Sequence, residues 1–191
     1  HLLRRLSTYT DRCLIHLVKL APLPKNSALV AVGGYGRKEL YPKSDIDLLI
    51  LLAQAPTPID TQHLEQFIAA LWDVGLKAAT SVRTTQQCID AAEQDIATQT
   101  AQLESRFITG NKTLFDTTKK VLKNHLNAYA FFQEKLTEMR QRHAHYQHSA
   151  YALEPNCKES PGALRDLQVL LWLAKAIGLG NSWSEIAHAN L

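Results

Sequence analysis

Residues 45–52 read Asp-Ile-Asp-Leu-Leu-Ile-Leu-Leu, and no other stretch limits the fold of this chain so tightly. Residues 48–52 are apolar without a break, the pattern of a strand covered on both faces and therefore interior to a sheet. Side chains alternate along a strand, so Asp45 and Asp47 point to one face, their Cα atoms about 6–7 Å apart. Ile46, Leu48 and Ile50 take the opposite face, while Leu49 and Leu51 carry the aspartate face into the core. Two carboxylates held that close repel each other unless a cation sits between them. All-oxygen donors suit Mg²⁺, which is usually held by one or two carboxylates plus substrate phosphates. Asp45 and Asp47 are therefore candidate metal ligands at the open end of an anchored strand.

Upstream, the β-prone run Ala28–Val32 stops at Gly33-Gly34-Tyr35-Gly36-Arg37. Glycines let backbone approach a ligand closely and offer N–H groups to phosphate oxygens. A helix is expected to start near Arg37 and add its positive end, and the Arg37 guanidinium suits a phosphate. Ser44, just before the acids, is a further phosphate donor. Either piece alone is commonplace, a plain turn or a loop D-x-D. In the order strand, glycine turn, short helix, strand, they describe a nucleotide–Mg²⁺ site. Attack on the α-phosphate assisted by two metals is its natural chemistry. Rival motifs fail: G-x-G-x-x-G needs glycine where Glu39 stands, and a Walker loop needs Gly-Lys-Ser/Thr where Gly36-Arg37-Lys38 stands.

The remaining chain predicts an α+β fold, a small mixed-sheet core followed by a mostly helical region. Helical spacing of Leu3, Leu6, Leu14, Leu17 and Val18 predicts a helix over 2–20, ended by Pro22 and Pro24. Asp60 is expected to cap a helix carrying Leu64, Phe67, Ile68, Leu71 and Trp72, and Gly75 to end it. A third strand is expected at 76–83, then helix from about Thr85 to a stop at Gly110-Asn111. One long helix is expected over 113–142, with Leu122, Leu126, Tyr129, Phe132, Leu136 and Met139 on its apolar stripe. An irregular stretch, 148–162, is followed by a helix begun by Ser160-Pro161 and running to Ile177. The expected parts are 1–24, 25–110 and 111–191.

A net charge of +3 over 191 residues is too small to imply general nucleic-acid binding. No apolar run approaches the roughly 20 residues that span a bilayer, so no membrane role is expected. Three widely spaced cysteines, Cys13, Cys88 and Cys157, suit a reducing cytoplasm better than a disulfide framework or zinc site. Because the chain opens on His1 without a signal-peptide pattern, a truncated cytoplasmic protein is expected.

The same residues carry a resemblance. Gly33-Gly34-Tyr35-Gly36-Arg37, Glu39-Leu40 and Ser44-Asp45-Ile46-Asp47 resemble the G-G-x-G-R-x-E-L…S-D-[IL]-D signature of the DNA polymerase beta-like nucleotidyltransferase superfamily. The version they are most similar to is that of the bacterial uridylyltransferase/uridylyl-removing enzymes acting on the PII nitrogen-signalling protein. Ser81-Val82-Arg83-Thr84 is similar to that family's H-S-V-R-T, and Leu103-Glu104-Ser105-Arg106-Phe107 with Gly110 to its L-[ED]-x-R-x-x-x-G. Glu154-Pro155-Asn156, Lys158-Glu159-Ser160-Pro161-Gly162 and Leu164-Arg165-Asp166-Leu167 resemble its E-P-N-x-K-E-S-P-G-G-L-R-D block. The resemblance implies Mg²⁺-dependent transfer of UMP from UTP to a PII tyrosine, releasing pyrophosphate. It makes Asp45 and Asp47 metal ligands, and Gly33, Gly34, Arg37 and Ser44 triphosphate contacts. No segment resembles the family's hydrolytic HD domain or its ACT domains, so transfer without removal or glutamine sensing is expected.

Such enzymes generally use a third acid, and Glu104 is the candidate, as ligand or base; the alternative is a structural partner of a basic residue. Lys38, Thr80 and Ala163 depart from the family pattern, standing for Gly, His and Gly. Lys38 is either an extra phosphate contact or a solvated residue, and Ala163 implies a loop without positive φ there. His143, His145 and His148, with no nearby acid, are expected at a solvated helix end. Glu154, Lys158, Glu159, Arg165 and Asp166 either close the nucleotide site or bind the protein substrate, or lock the helical part in place by ion pairs. Trp72 and Trp172 are expected in the core. Two alternatives stay open: another superfamily member, adenylyl-transferring or linked to a cyclic-nucleotide module, or a catalytically silent nucleotide-binding regulator.

Overall fold

The computed structural model describes residues 2–146 and 156–188, arranged in two compact units, His1–Asn124 and His125–Leu191. The fold is α+β, with a mixed four-stranded sheet and nine helices among the described residues.

In the first unit, α1 (Leu2–Leu20) precedes β1 (Ala28–Ala31), the single turn α2 (Gly33–Gly36) and β2 (Ile46–Leu52). Then come α3 (Pro58–Asp73), β3 (Ala78–Thr84), α4 (Thr85–Gln94), α5 (Ile96–Leu103), β4 (Arg106–Gly110) and α6 (Lys112–His125). The strand order is β3-β2-β1-β4. β2 is interior, antiparallel to β1 (Val30 opposite Leu49) and parallel to β3 (Asp47 opposite Ala79). That position explains its unbroken apolar run.

The two faces of β2 feed separate cores. Leu48, Ile50 and Leu52 pack with Leu14 and Leu17 of α1 and Leu64, Phe67 and Leu71 of α3. Leu49 and Leu51 pack with Val30, Cys88 of α4 and Phe115 of α6. Asp47 lies on this second face, at the end where the apolar cover stops. α1 therefore packs in the first of these cores and α6 in the second.

Several expectations need correction. Thr57, not Asp60, caps α3: its hydroxyl accepts from Asp60 N–H while the Asp60 carboxylate accepts from Thr57 N–H, a capping box with Pro58 in the first turn. These hydrogen bonds hold Asp60 below its ordinary carboxylate value. Trp72 is 69% exposed, because it lies about 100° around the helix from Leu71 and leaves the buried stripe. Residues 106–110, expected to be helical, form β4, paired to β1 with a register shift between Leu29 and Val30. The expected long helix is two: Asn127 caps α7 (Ala128–His145) by accepting from Ala130 N–H. The break resets the helical phase, so Phe131 and Lys135 face inward while Tyr129 is exposed.

In the second unit, α7 is followed by α8 (Leu164–Ala176) and α9 (Trp183–His188). Trp172 is buried, as expected, with the Lys135 ammonium 4.7 Å and the Arg165 guanidinium 5.5 Å from the ring centroid. α8 starts three residues later than Ser160-Pro161 suggests. Ser160 instead closes a turn, its hydroxyl accepting from Asn156 N–H and its carbonyl from Ala163 N–H. Ala163 is extended at φ −83°, in line with the expectation for that loop.

Candidate active site

The site is built where β1 ends. The ladder continues one step past it, Val32 N–H donating to the Asp47 carbonyl at 3.1 Å, and the chain then turns at Gly33 with φ +57°. Only glycine takes that backbone without strain. α2 closes by Gly36 N–H to Val32 C=O (3.0 Å) and Arg37 N–H to Gly33 C=O (3.1 Å). The glycines themselves thus form the helical turn. Arg37 ends it rather than starting a helix, and Lys38 follows at φ +62°. That positive φ accounts for the glycine the resembling family carries at this place. Gly36 is needed for close packing: a methyl group there would stand 1.9 Å from the Glu104 carbonyl oxygen.

The turn and Asp47 converge. A methyl on Gly33 would lie 3.2 Å from Asp47 Oδ2, so the missing side chain leaves space directly beside that carboxylate. Asp45 and Ser44 are exposed just before β2, and Asp47 is half-buried within it. The amides of Gly33, Gly34 and Tyr35 find no backbone acceptor among the described residues.

Arg37 is committed more deeply than its sequence suggests. Its Nε donates to Glu39 at 2.8 Å, and its Nη1 pairs with the buried Glu104 carboxylate, whose side chain is 1% exposed. Its Nη2 lies beside Gly34, 3.7 Å from where a side chain would begin. Two carboxylates thus orient the guanidinium along the turn. Glu104, candidate third acid, reaches the turn as this partner. No group of three His, Cys, Asp or Glu side chains suited to a metal exists among the described residues, so Glu104 does not join Asp45 and Asp47 in one cluster. Ala79, in register with Asp47 on β3, supplies no acid either.

The two aspartates nevertheless fit Mg²⁺. They are hard oxygen donors at one strand mouth, with the Gly33 gap beside them, and Mg²⁺ completes such a set with water and phosphate oxygens.

Sequence reasoning missed Asp11, whose carboxylate bridges Tyr35 and Arg106 under the turn. An acid on the inner side of an amphipathic helix, near buried Ser7, Thr10 and Leu14, was the available signal. The other motif stretches have local structural duties. Thr84 caps α4 in a capping box with Gln87, and Gly110 lets β4 pass Ser27, whose carbonyl would stand 2.4 Å from a methyl there. In the second unit Glu159 meets Arg165 at 3.0 Å, and Asp166 accepts from Arg142, from His143 Nε2 at 2.9 Å and from Gly162 N–H at 2.7 Å. His143 therefore does have an acid partner, distant in sequence. Glu154 and His148 lie outside the described residues.

A glycine turn beside an acid at the mouth of a central strand suits a nucleotidyltransferase. Residues 16–160 match the nucleotidyltransferase domain family, and the chain belongs to it. Residues 130–191 match the family described as GlnD PII-uridylyltransferase. The chain is 55% identical over 190 residues to a bifunctional uridylyltransferase/uridylyl-removing enzyme of Bordetella pertussis, covering 100% of this chain and 22% of that protein. Proteins of the same description from Cupriavidus pinatubonensis and Ralstonia nicotianae are 52% and 50% identical, over 100% and 97% of this chain and 22% of each. The chain thus spans about a fifth of the length of the relatives it matches. A solved toxin–antitoxin structure with AMP-PNP aligns at TM-score 0.39 and 18% identity, over 73% of this chain and 98% of that one. That likeness is too loose to argue from. Among the described residues no helix is long and apolar enough to cross a membrane.

Proposed function

We propose that this chain is the nucleotide-transferring part of a uridylyltransferase, moving UMP from UTP to a tyrosine hydroxyl of the PII signalling protein in the cytoplasm. The observation that carries the reading is the gap at Gly33 opening directly onto Asp47 Oδ2. It puts a backbone able to cradle phosphate against an acid able to hold the metal that neutralises it. The uridylyl specificity and the PII partner rest on the relatives' printed description.

In this reading the amides at the start of α2 and Arg37 Nη2 hold the triphosphate, and Ser44 adds a contact from the loop before β2. Asp45 and Asp47 would hold Mg²⁺, which lowers the charge opposing attack when it is bound. The tyrosine oxygen bonds to the α-phosphorus, the bond to the β-phosphate bridging oxygen breaks, pyrophosphate leaves, and the tyrosine proton passes to water. Glu104 acts here by orienting Arg37, not as the base.

The lack of a third acid beside the pair, among the described residues, favours one other reading: a silent nucleotide-binding regulator. Incubating the chain and purified PII with labelled UTP, ATP, CTP or GTP separates them. Label from UTP alone, lost in Asp45→Ala and Asp47→Ala, is expected. Equal use of ATP points to an adenylyl-transferring relative, and nucleotide binding without label to the silent regulator.

A further inference from the structure

Asp11 lies 24 residues from Tyr35 and 95 from Arg106, yet its carboxylate joins both. Tyr35 Oη donates to Asp11 Oδ1 at 2.5 Å. Arg106 donates from Nη1 to Oδ2 at 2.8 Å and from Nη2 to Oδ1 at 3.0 Å, a fork-to-fork pair. The same guanidinium reaches the glycine turn: Nε donates to the Gly36 carbonyl at 3.2 Å and Nη2 to the Tyr35 carbonyl at 3.3 Å. It also stands 5.2 Å from the centre of the Tyr35 ring. A second tie runs from α1 to the loop beyond the turn, Leu40 N–H donating to Ser7 Oγ at 3.4 Å.

These contacts grip the carbonyl end of α2, at Tyr35 and Gly36. The grip has a physical reason. A turn with glycine at three of four positions has wide backbone freedom, and ordering it at the moment of ligand binding would weaken the binding. Tyr35 is 1% exposed, so it serves the turn and not the ligand. Burial and the Asp11 carboxylate push its hydroxyl above the ordinary range, which keeps it a donor.

We propose that Asp11, Tyr35 and Arg106 form a clamp through which α1 holds the glycine turn in its phosphate-binding shape. Asp11 and Arg106 are then positioning residues for nucleotide binding, and the proposal rests on the nucleotidyltransferase reading above. Asp11→Asn keeps the size of the side chain and removes its charge. It is expected to weaken Mg²⁺–UTP binding and raise KM about 10- to 100-fold, with a smaller change in kcat. Amide hydrogen exchange at Gly36 and Arg37, whose N–H groups close the turn, is expected to rise at least about tenfold, with β2 unchanged. Tyr35→Phe, which retains the buried ring, gives a smaller change in the same direction and serves if Asp11→Asn does not fold. Arg106→Lys does not rescue, because an ammonium cannot make the fork.

Folded Asp11→Asn with ordinary UTP affinity and ordinary exchange at Gly36 and Arg37 overturns the clamp. If the unaltered chain binds no Mg²⁺–UTP while exchange at Gly36 and Arg37 still rises in the variant, the clamp stands and the nucleotide reading falls.

Discussion

The mouth of β2 and the segment leading into α8 both gather charge, and they treat it in opposite ways. Around α8, Glu159 meets Arg165, and Asp166 meets Arg142, His143 and the Gly162 amide. Those charges are matched by their neighbours and complete a local fold. At β2, Asp45 and Asp47 are like charges two residues apart, with Asp45 exposed and the Gly33 gap alongside. The fold tolerates this easily. Repulsion at such a distance in watery surroundings costs about 1 kcal/mol or less, whereas each buried Leu or Ile of β2 contributes on the order of 2 kcal/mol. Opposite charges brought together complete a fold; like charges brought together where a strand begins are half of a site.

The largest effect should come from the two aspartates. Asp45→Ala or Asp47→Ala should lower UMP transfer by about 10³-fold, roughly 4 kcal/mol in the barrier, with the midpoint of thermal unfolding little changed for exposed Asp45. A large stability loss with little loss of transfer would invert the contrast. Gly36→Ala comes next, since its methyl has no room against Glu104. Denaturant unfolding should show a loss of about 3 kcal/mol or more.

Asp166 tests the matched side. Burial raises its carboxyl, but the Gly162 amide, His143 and Arg142 outweigh this and hold it below the ordinary value. A folded-state pKa below the unfolded one gives stability that is present above about pH 4 and lost as pH falls through the folded value. Asp166→Asn should therefore cost about 1–3 kcal/mol at pH 7 and flatten the acid limb of a pH-dependent melt. Transfer per folded molecule should change less than about threefold, because Asp166's partners all lie within its own unit. The smallest effect is Lys38→Gly. Relief of the positive φ and the extra freedom of glycine in the unfolded chain nearly offset, leaving a change within about 1 kcal/mol.

The difference also explains what was legible in the sequence. β2 and the glycine turn could be read because neighbours along the chain write them, and the two-residue period assigns the faces of Ile46–Leu52, though the strand opens one residue after Asp45. β4 could not: Arg106–Gly110 is a strand only because β1 is there to pair with it. The break before α7 hung on one cap, Asn127, and a stripe drawn across it put Tyr129 and Phe132 on the wrong side. Glu104 drew notice as an acid near the site, but its partner Arg37 lies 67 residues away. Asp11 was invisible for the same reason.

One measurement bears on the central claim directly: a crystal structure of the chain with Mg²⁺ and a non-hydrolysable UTP analogue. Metal between Asp45 and Asp47, with the β- and γ-phosphates against residues 33–37 and Arg37 still held by Glu104, is the predicted result. Nucleotide bound elsewhere, or no metal at the aspartates when nucleotide saturates the protein, would contradict it.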